Sequence, residues 1–240
     1  MAFSSWRGTV GLIKPTMRPG SLEELIRLLP DGIGVVPILQ TVRDGTEDEF
    51  EAAIESYHRN ALKLATAGVD LIHHAGTPPF MMMGVKAEAR LMKDWTRETG
   101  IPNFTVNQNI ARALRTLGAK RIIGASYSAL QNTLTETYLT EAGFQVLAME
   151  PIDVAFEEAG TISPRQVYAH LRRMVLAHPK AEAIYLQGNA WRLRSIVEKM
   201  EQDFGMPVIE TGCALSWEIQ KRLTIREPRE ECGRLLRDMP

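Results

Sequence analysis

A chain of 240 residues with 45% hydrophobic and 24% charged side chains has room for one large α/β domain or two small ones, each burying its own core. Its 28 Lys and Arg nearly balance 29 Asp and Glu, for a formal net charge of -1, and aromatic residues make up 7%, so neither a basic field nor a stacking platform for nucleic acid is present. Two cysteines, Cys213 and Cys232, with no C-x-x-C pair, give no reason to expect a disulfide framework or a zinc site.

No stretch nears the roughly 18 apolar residues that span a bilayer, and no apolar run precedes a small-residue cleavage site near the start. A cytoplasmic protein with no membrane partner is the expectation. Strand and helix signals then alternate. Thr9 to Ile13 is a short β-branched run ending at Lys14-Pro15. Ser21 reads as a helix N-cap with Glu24 as its capping-box partner. Gly34 to Leu39 is a second strand, and Thr46 caps a helix that runs to about Ala67 and stops at Gly68. Val69 to His74 is a third strand, closed by Ala75-Gly-Thr-Pro-Pro. A helix over 85–99, a strand over 102–106 and a helix over 108–117 follow, and Arg121-Ile-Ile-Gly-Ala starts the pattern again. Such alternation predicts parallel sheets flanked by helices.

The chain also repeats itself. Gly76 and Gly188 are 112 residues apart, as are Lys14-Pro15 and Ser126-Tyr127, and the turns at Gly100 and Gly205 are 105 apart. The prediction is therefore two pseudo-symmetric lobes, each a parallel four-stranded sheet. The boundaries are 1–117 and 118–213, with a helical segment over about 214–240 packing back on the first lobe. Open parallel sheets bind ligands beyond their strand carboxyl ends. The loops near Pro15, Gly76, Tyr127, Gly188 and Glu210 would then converge on one cleft.

Several residues there could carry chemistry. Thr77 offers a hydroxyl, and Gly76 lets backbone amides approach a ligand, which suits a carboxylate or a developing enediolate. Ser126 and Ser128 can cap a helix while Tyr127 points its phenol into the cleft, with Asn132 five residues on. The same residues would also serve plain turns and caps, and both readings stand at this point. Lys14 can pair with a carboxylate, Pro15 and Pro78 border the two loops, and Asn189 offers an amide beside Gly188. The Met81-Met82-Met83 run is either a lid or a packed helix start.

Val10-Gly-Leu-Ile-Lys-Pro, Ala75-Gly-Thr-Pro, Ala125-Ser-Tyr with Asn132, Gly205-Met-Pro-Val-Ile and Gly233-Arg-Leu-Leu resemble, in order and over nearly the whole chain, the arylmalonate decarboxylase and maleate isomerase branch of the aspartate/glutamate racemase superfamily. The resemblance implies a two-lobed α/β enzyme without metal or organic cofactor that makes or breaks a bond beside a carboxylate. It implies that Thr77, Tyr127 and the amides around Asn189 hold a small carboxylate substrate. It also exposes a departure. Racemases and isomerases of this kind carry a cysteine at both strand ends, and decarboxylases keep the second; this chain has Gly76 and Gly188.

Substitutes for the thiols are expected nearby. Strand alternation puts His74 on the side of Gly76, and histidine exchanges protons near neutral pH. Cys213 lies at an expected helix N-terminus, which lowers a thiol pKa, and Glu210 ends the last strand. The leading expectation is a cofactor-independent lyase or isomerase with His74, Tyr127 or Cys213 as catalytic groups. A hydrolase of a small amide, imine or lactone using water at the vacated thiol positions, and a non-catalytic carboxylate-binding protein, are the alternatives. Pairing of two copies is left open.

Overall fold

The computed structural model describes residues 5–42, 46–152, 154, 156–188, 191 and 193–240. The first lobe comprises β1 (Gly8–Lys14), α1 (Ser21–Leu28), β2 (Ile33–Leu39), α2 (Glu47–Thr66), β3 (Leu71–His74), α3 (Pro78–Met81), α4 (Gly84–Thr99), β4 (Asn103–Thr105) and α5 (Val106–Thr116). The second comprises β5 (Arg121–Ser126), α6 (Ala129–Glu141), β6 (Gln145–Pro151), α7 (Pro164–Ala177), β7 (Ala183–Leu186), α8 (Arg194–Phe204) and β8 (Val208–Glu210). The chain ends with α9 (Thr211–Arg222) and α10 (Gly233–Asp238). The sheets are parallel and four-stranded, in the orders β2-β1-β3-β4 and β6-β5-β7-β8.

The repeat is carried into the hydrogen-bond register. Val10 pairs with Leu71 in the first sheet and Ile122 with Ala183 in the second, and both members are offset by 112 residues. Ile72 pairs with Asn103 and Ile184 with Val208, which preserves the shorter offset of 105 on the outer strands. An acid guards the same corner of each lobe. Asp70 Oδ2 accepts from Thr9 N at 2.7 Å, and Glu182 Oε2 accepts from Lys120 N at 2.8 Å and Arg121 N at 2.9 Å. The central strands β3 and β7 are buried along their whole length, as helices on both faces of a parallel sheet require.

Local chemistry sets the element ends. Thr46, Thr105, Ser128 and Ser163 each accept a hydrogen bond from the backbone amide three residues on, opening α2, α5, α6 and α7. Helix α1 departs from the expected cap. Gly20 precedes the helix with φ of 103°, its amide donates to Glu23 Oε2 at 2.6 Å, and Ser21 is already helical. The Phe80-Met81 stretch is the packed helix start, because α3 is wholly buried.

Helix α9 knits the lobes. Leu215 and Ile219 pack with Val10, Leu12 and Phe104 of the first sheet, while Cys213, Ala214 and Trp217 join the second core. Ser216 Oγ donates to the Leu28 carbonyl at 3.1 Å. The segment expected over 214–240 therefore does not return to the first lobe alone. Leu235 and Leu236 of α10 pack in the second lobe's core, and Arg234 N donates to Glu201 Oε2 of α8 at 2.7 Å. The cause is that α9 is buried on every side from Cys213 to Gln220, with apolar side chains spread around it, and so serves two cores at once. Among the described residues no helix is long and apolar enough to cross a membrane.

Candidate active site

The carboxyl ends of both sheets open into one cleft. The loops after β1 and β3 contribute Lys14, Pro15, Thr16, Arg18, Gly76, Thr77, Pro78 and Pro79. The second lobe contributes Tyr127, Gln187, Gly188 and Thr211, while Phe50 of α2 and Gln131 of α6 also line the space. One side-chain contact bridges the cleft: Gln187 Nε2 donates to Thr77 Oγ1. Thr211 Oγ1 donates to the Leu186 carbonyl at 3.1 Å and accepts from Gly188 N at 3.4 Å. The Tyr127 ring rests against Trp191, with centroids 5.2 Å apart.

Both strand-end glycines turn with positive φ, 101° at Gly76 and 131° at Gly188. L side chains rarely adopt this region. The space beside each is also filled by a tyrosine hydroxyl. A Cβ on Gly76 would meet Tyr57 Oη at 2.7 Å, and one on Gly188 would overlap Tyr127 Oη.

Lys14 reaches the cleft but spends its donors on its own loop. Its ammonium donates to the Thr16 carbonyl at 2.7 Å, the Arg18 carbonyl at 2.5 Å and Thr16 Oγ1 at 3.2 Å. An ammonium has three donors, so Lys14 shapes the loop that presents Thr16 and Arg18. Burial, followed by the Arg18 charge, pulls its pKa from 10.5 down to about 8, with Glu23 pulling the other way.

Other expected site residues lie elsewhere. His74 is fully buried among Tyr57, Phe80 and Trp95, with its Nε2 2.7 Å from Asn103 Oδ1. Burial pulls its pKa from 6.5 to about 4, opposed by the Asn103 hydrogen bond, so it is neutral at pH 7. The alternation argument failed because β3 stops at His74 and the positive φ at Gly76 reverses the chain before the cleft. His73, on the opposite face, packs on Phe104 with ring centroids 4.9 Å apart.

Cys213 is buried in the second core. A hydrogen bond with Cys232, then burial and the Glu210 charge, push its thiol well above the ordinary range, so the helix N-terminus does not activate it. Glu210 is buried and caps α9 by accepting from Cys213 N at 2.9 Å. Asn132 is buried behind the cleft, where its Oδ1 accepts from Ser126 Oγ at 2.5 Å; its neighbour Gln131 faces the ligand space instead. Asn189 lies outside the described residues. Among the described residues no three His, Cys, Asp or Glu side chains are grouped to hold a metal ion.

The family profile for arylmalonate decarboxylase matches residues 11–236. The chain belongs to the arylmalonate decarboxylase family. It is 22% identical over 218 residues to an arylmalonate decarboxylase of Bordetella bronchiseptica, covering 88% of each chain. It is 25% identical over 201 residues to a maleate isomerase of Geobacillus stearothermophilus, covering 80% of this chain and 78% of that one. Among solved structures, a Nocardia farcinica maleate cis-trans isomerase variant with a covalently bound succinylcysteine intermediate superposes with a TM-score of 0.85 at 23% identity, covering 96% and 98% of the two chains.

In this arylmalonate decarboxylase family member, cleft residues that the sequence did not single out include Thr16, Arg18, Pro19, Phe50, Gln131 and Thr211. Thr211 follows directly on β8, and Thr16 and Arg18 lie in the loop after β1, where the general rule for parallel sheets would have found them. Phe50 enters from the first turn of α2, and no local signal marks it.

His74→Ala is expected to cost about 2–4 kcal/mol of stability, from a cavity and a stranded Asn103 amide; calorimetry checks the loss. His74 has a depressed folded-state pKa, so the unfolded chain binds its proton more tightly and stability falls as pH drops from 6.5 towards 4. Denaturant midpoints across that range would reveal the slope. Cys213 and Cys232 should stay unreactive to a thiol reagent at pH 8 until the protein unfolds; rapid labelling of the native protein would contradict their burial. Gly188→Cys should destabilise the fold and disturb Tyr127, which melting and the tyrosine resonances would report.

Proposed function

We propose that this protein is a cofactor-independent lyase or isomerase that makes or breaks a bond beside the carboxylate of a small acid, without a cysteine. The observation that carries the reading is the convergence of the Thr77 hydroxyl, the Tyr127 phenol and the Gly76 and Gly188 turns, drawn from both lobes, on one cleft. The family relatives act, by name, on arylmalonate and maleate, both dicarboxylates. The Nocardia farcinica maleate cis-trans isomerase variant holds a covalently bound succinylcysteine intermediate. Here both expected thiol positions are glycines whose side-chain space belongs to tyrosines.

The chemistry follows from charge. Removing CO₂ or a proton beside a carboxylate leaves an electron pair that spreads into an enediolate. Hydroxyl and amide donors fixed in advance around the carboxylate stabilise that charge. Thr77 and Tyr127 are such donors, and the apolar walls at Pro15, Pro78, Pro79 and Phe50 keep water from competing. The carbon must then receive a proton. His74, Cys213 and Glu210 do not line the cleft, and the Lys14 ammonium is held by its own loop carbonyls; the Tyr127 phenol is in place, its oxygen standing where a side chain on residue 188 would begin. In a decarboxylation the C–C bond breaks, CO₂ leaves with its oxygens, the electron pair stays on carbon, and the phenol O–H supplies the proton. Water restores the phenol.

Incubation in D₂O with malonates, maleate and α-substituted acids, followed by NMR, tests the reading. Deuterium entry beside a carboxylate, or loss of CO₂, is the expected result. Tyr127→Phe should lower turnover about 100-fold or more while weakening carboxylate binding by no more than about tenfold. Ligands that bind but neither exchange nor change would make the protein a carboxylate binder and sink the catalytic reading.

A further inference from the structure

Beneath the cleft, the seam between the lobes is built around a buried carboxylate. Glu88 of α4 is fully buried. Its Oε1 accepts from Thr105 Oγ1 at 2.6 Å and from Asn107 Nδ2 at 3.1 Å, and its Oε2 accepts from Tyr138 Oη. Thr105 and Asn107 belong to the first lobe, whereas Tyr138 belongs to α6 of the second. Asn107 Nδ2 also donates to the Thr77 carbonyl at 3.2 Å. Thr77 Oγ1 in turn accepts from Gln187. A continuous chain of hydrogen bonds thus leaves the second lobe at Tyr138, passes through Glu88, Asn107 and Thr77, and re-enters it at Gln187. Beside it, Glu141 of α6 accepts from Val85 N at the start of α4, at 3.0 Å.

We propose that Glu88 is a positioning residue for the cleft: its carboxylate ties α4 of one lobe to α6 of the other and, through Asn107, fixes the turn that presents the Thr77 hydroxyl. The consequence for ligand binding rests on the reading of Thr77 as a carboxylate donor. A carboxylate serving only the seam would need Tyr138 and Thr105. The Asn107 branch is what connects it to the ligand space. Burying a charge is costly unless its lone pairs are met, and three donors converge on this one.

The network has a built-in proton dependence. Burial, with a smaller push from Glu141, raises the Glu88 pKa from 4.5 to about 7 against the lowering pull of the Thr105, Tyr138 and Asn107 hydrogen bonds. The groups facing this seam are Tyr138 and Glu141 from α6 and, beside Tyr138, Arg115 from α5. His58 of α2 meets α4 at Trp95 and Glu98, about 10 and 15 Å further along the helix. The ionised carboxylate accepts from all three donors, whereas the acid must turn a proton towards one of them. The cleft is therefore best ordered above pH 7. Stability runs the other way: a raised folded-state pKa favours folding below about 4.5 and loses that contribution as pH rises through 7.

The test is a pH titration of the ligand-free protein by ¹⁵N NMR, paired with malonate affinity. The Thr77 backbone amide and the Gln187 side-chain amide should shift together with a midpoint near pH 7. The step should vanish in Glu88→Gln and move in Tyr138→Phe. Malonate affinity of the unsubstituted protein should rise about fivefold across the same step and stay flat in Glu88→Gln. A step that persists in Glu88→Gln, or none in the unsubstituted protein, overturns the positioning role. If Glu88→Gln does not fold, an unmoved midpoint in Tyr138→Phe overturns it instead. If the amides titrate as expected but malonate binds at no pH, the carboxylate reading fails and the positioning role stands.

Discussion

Two turns must adopt a positive φ, at Gly76 and Gly188, and the cleft takes its form from that constraint. A parallel strand that ends beneath a ligand has to swing its backbone aside within one or two residues. Glycine does so without strain. Having no side chain, each glycine leaves a gap, and each gap is taken by a phenol from elsewhere: Tyr57 in the first lobe and Tyr127 in the second. Reactive groups therefore come from the residues beside the turns, not from the turns themselves.

The architecture was legible because it is written twice. A spacing of 112 residues between strand-end glycines became the register of β1 with β3 and of β5 with β7. Thr77, Tyr127 and Gly188 were legible for the same reason, since each lies within three residues after a strand end and lines the cleft. His74 was misplaced by extending a period-two argument past the end of its strand. Cys213 was misplaced by weighing a helix terminus without its neighbours. Cys232, burial and Glu210 all act against the thiolate, and only Glu210 lies near it in sequence. Asn132 and Gln131 differ by one position, and only the packing of α6 decides which faces the ligand. The Glu88 network joins residues up to 110 positions apart, so no short pattern announces it.

Buried acids recur at the joints of this molecule, each met by several donors. Glu201 receives Val208 N at 2.9 Å and Arg234 N at 2.7 Å, joining α8, β8 and α10. Glu218 receives Arg112 at 2.7 Å and Arg222 at 2.6 Å, fastening α5 to α9. Glu210 holds the first turn of α9. Such groups add less to stability than apolar packing of the same volume would. They do fix direction, because a carboxylate shared among backbone amides and side chains accepts only one arrangement of its neighbours.

The two lobes are not equal copies. Aligned on Gly100 and Gly205, helix α4 starts five residues earlier than its counterpart α8, a length of about 7.5 Å. That extra stretch ends in Glu88, and it is the part of α4 whose Val85 amide and Glu88 carboxylate bond to α6. The duplication thus acquired a one-sided overhang, with one lobe reaching and the other receiving. A space enclosed by unequal walls has no internal two-fold axis. A ligand with two chemically identical ends meets different surroundings at each, so the protein can tell apart groups that are equivalent in free solution.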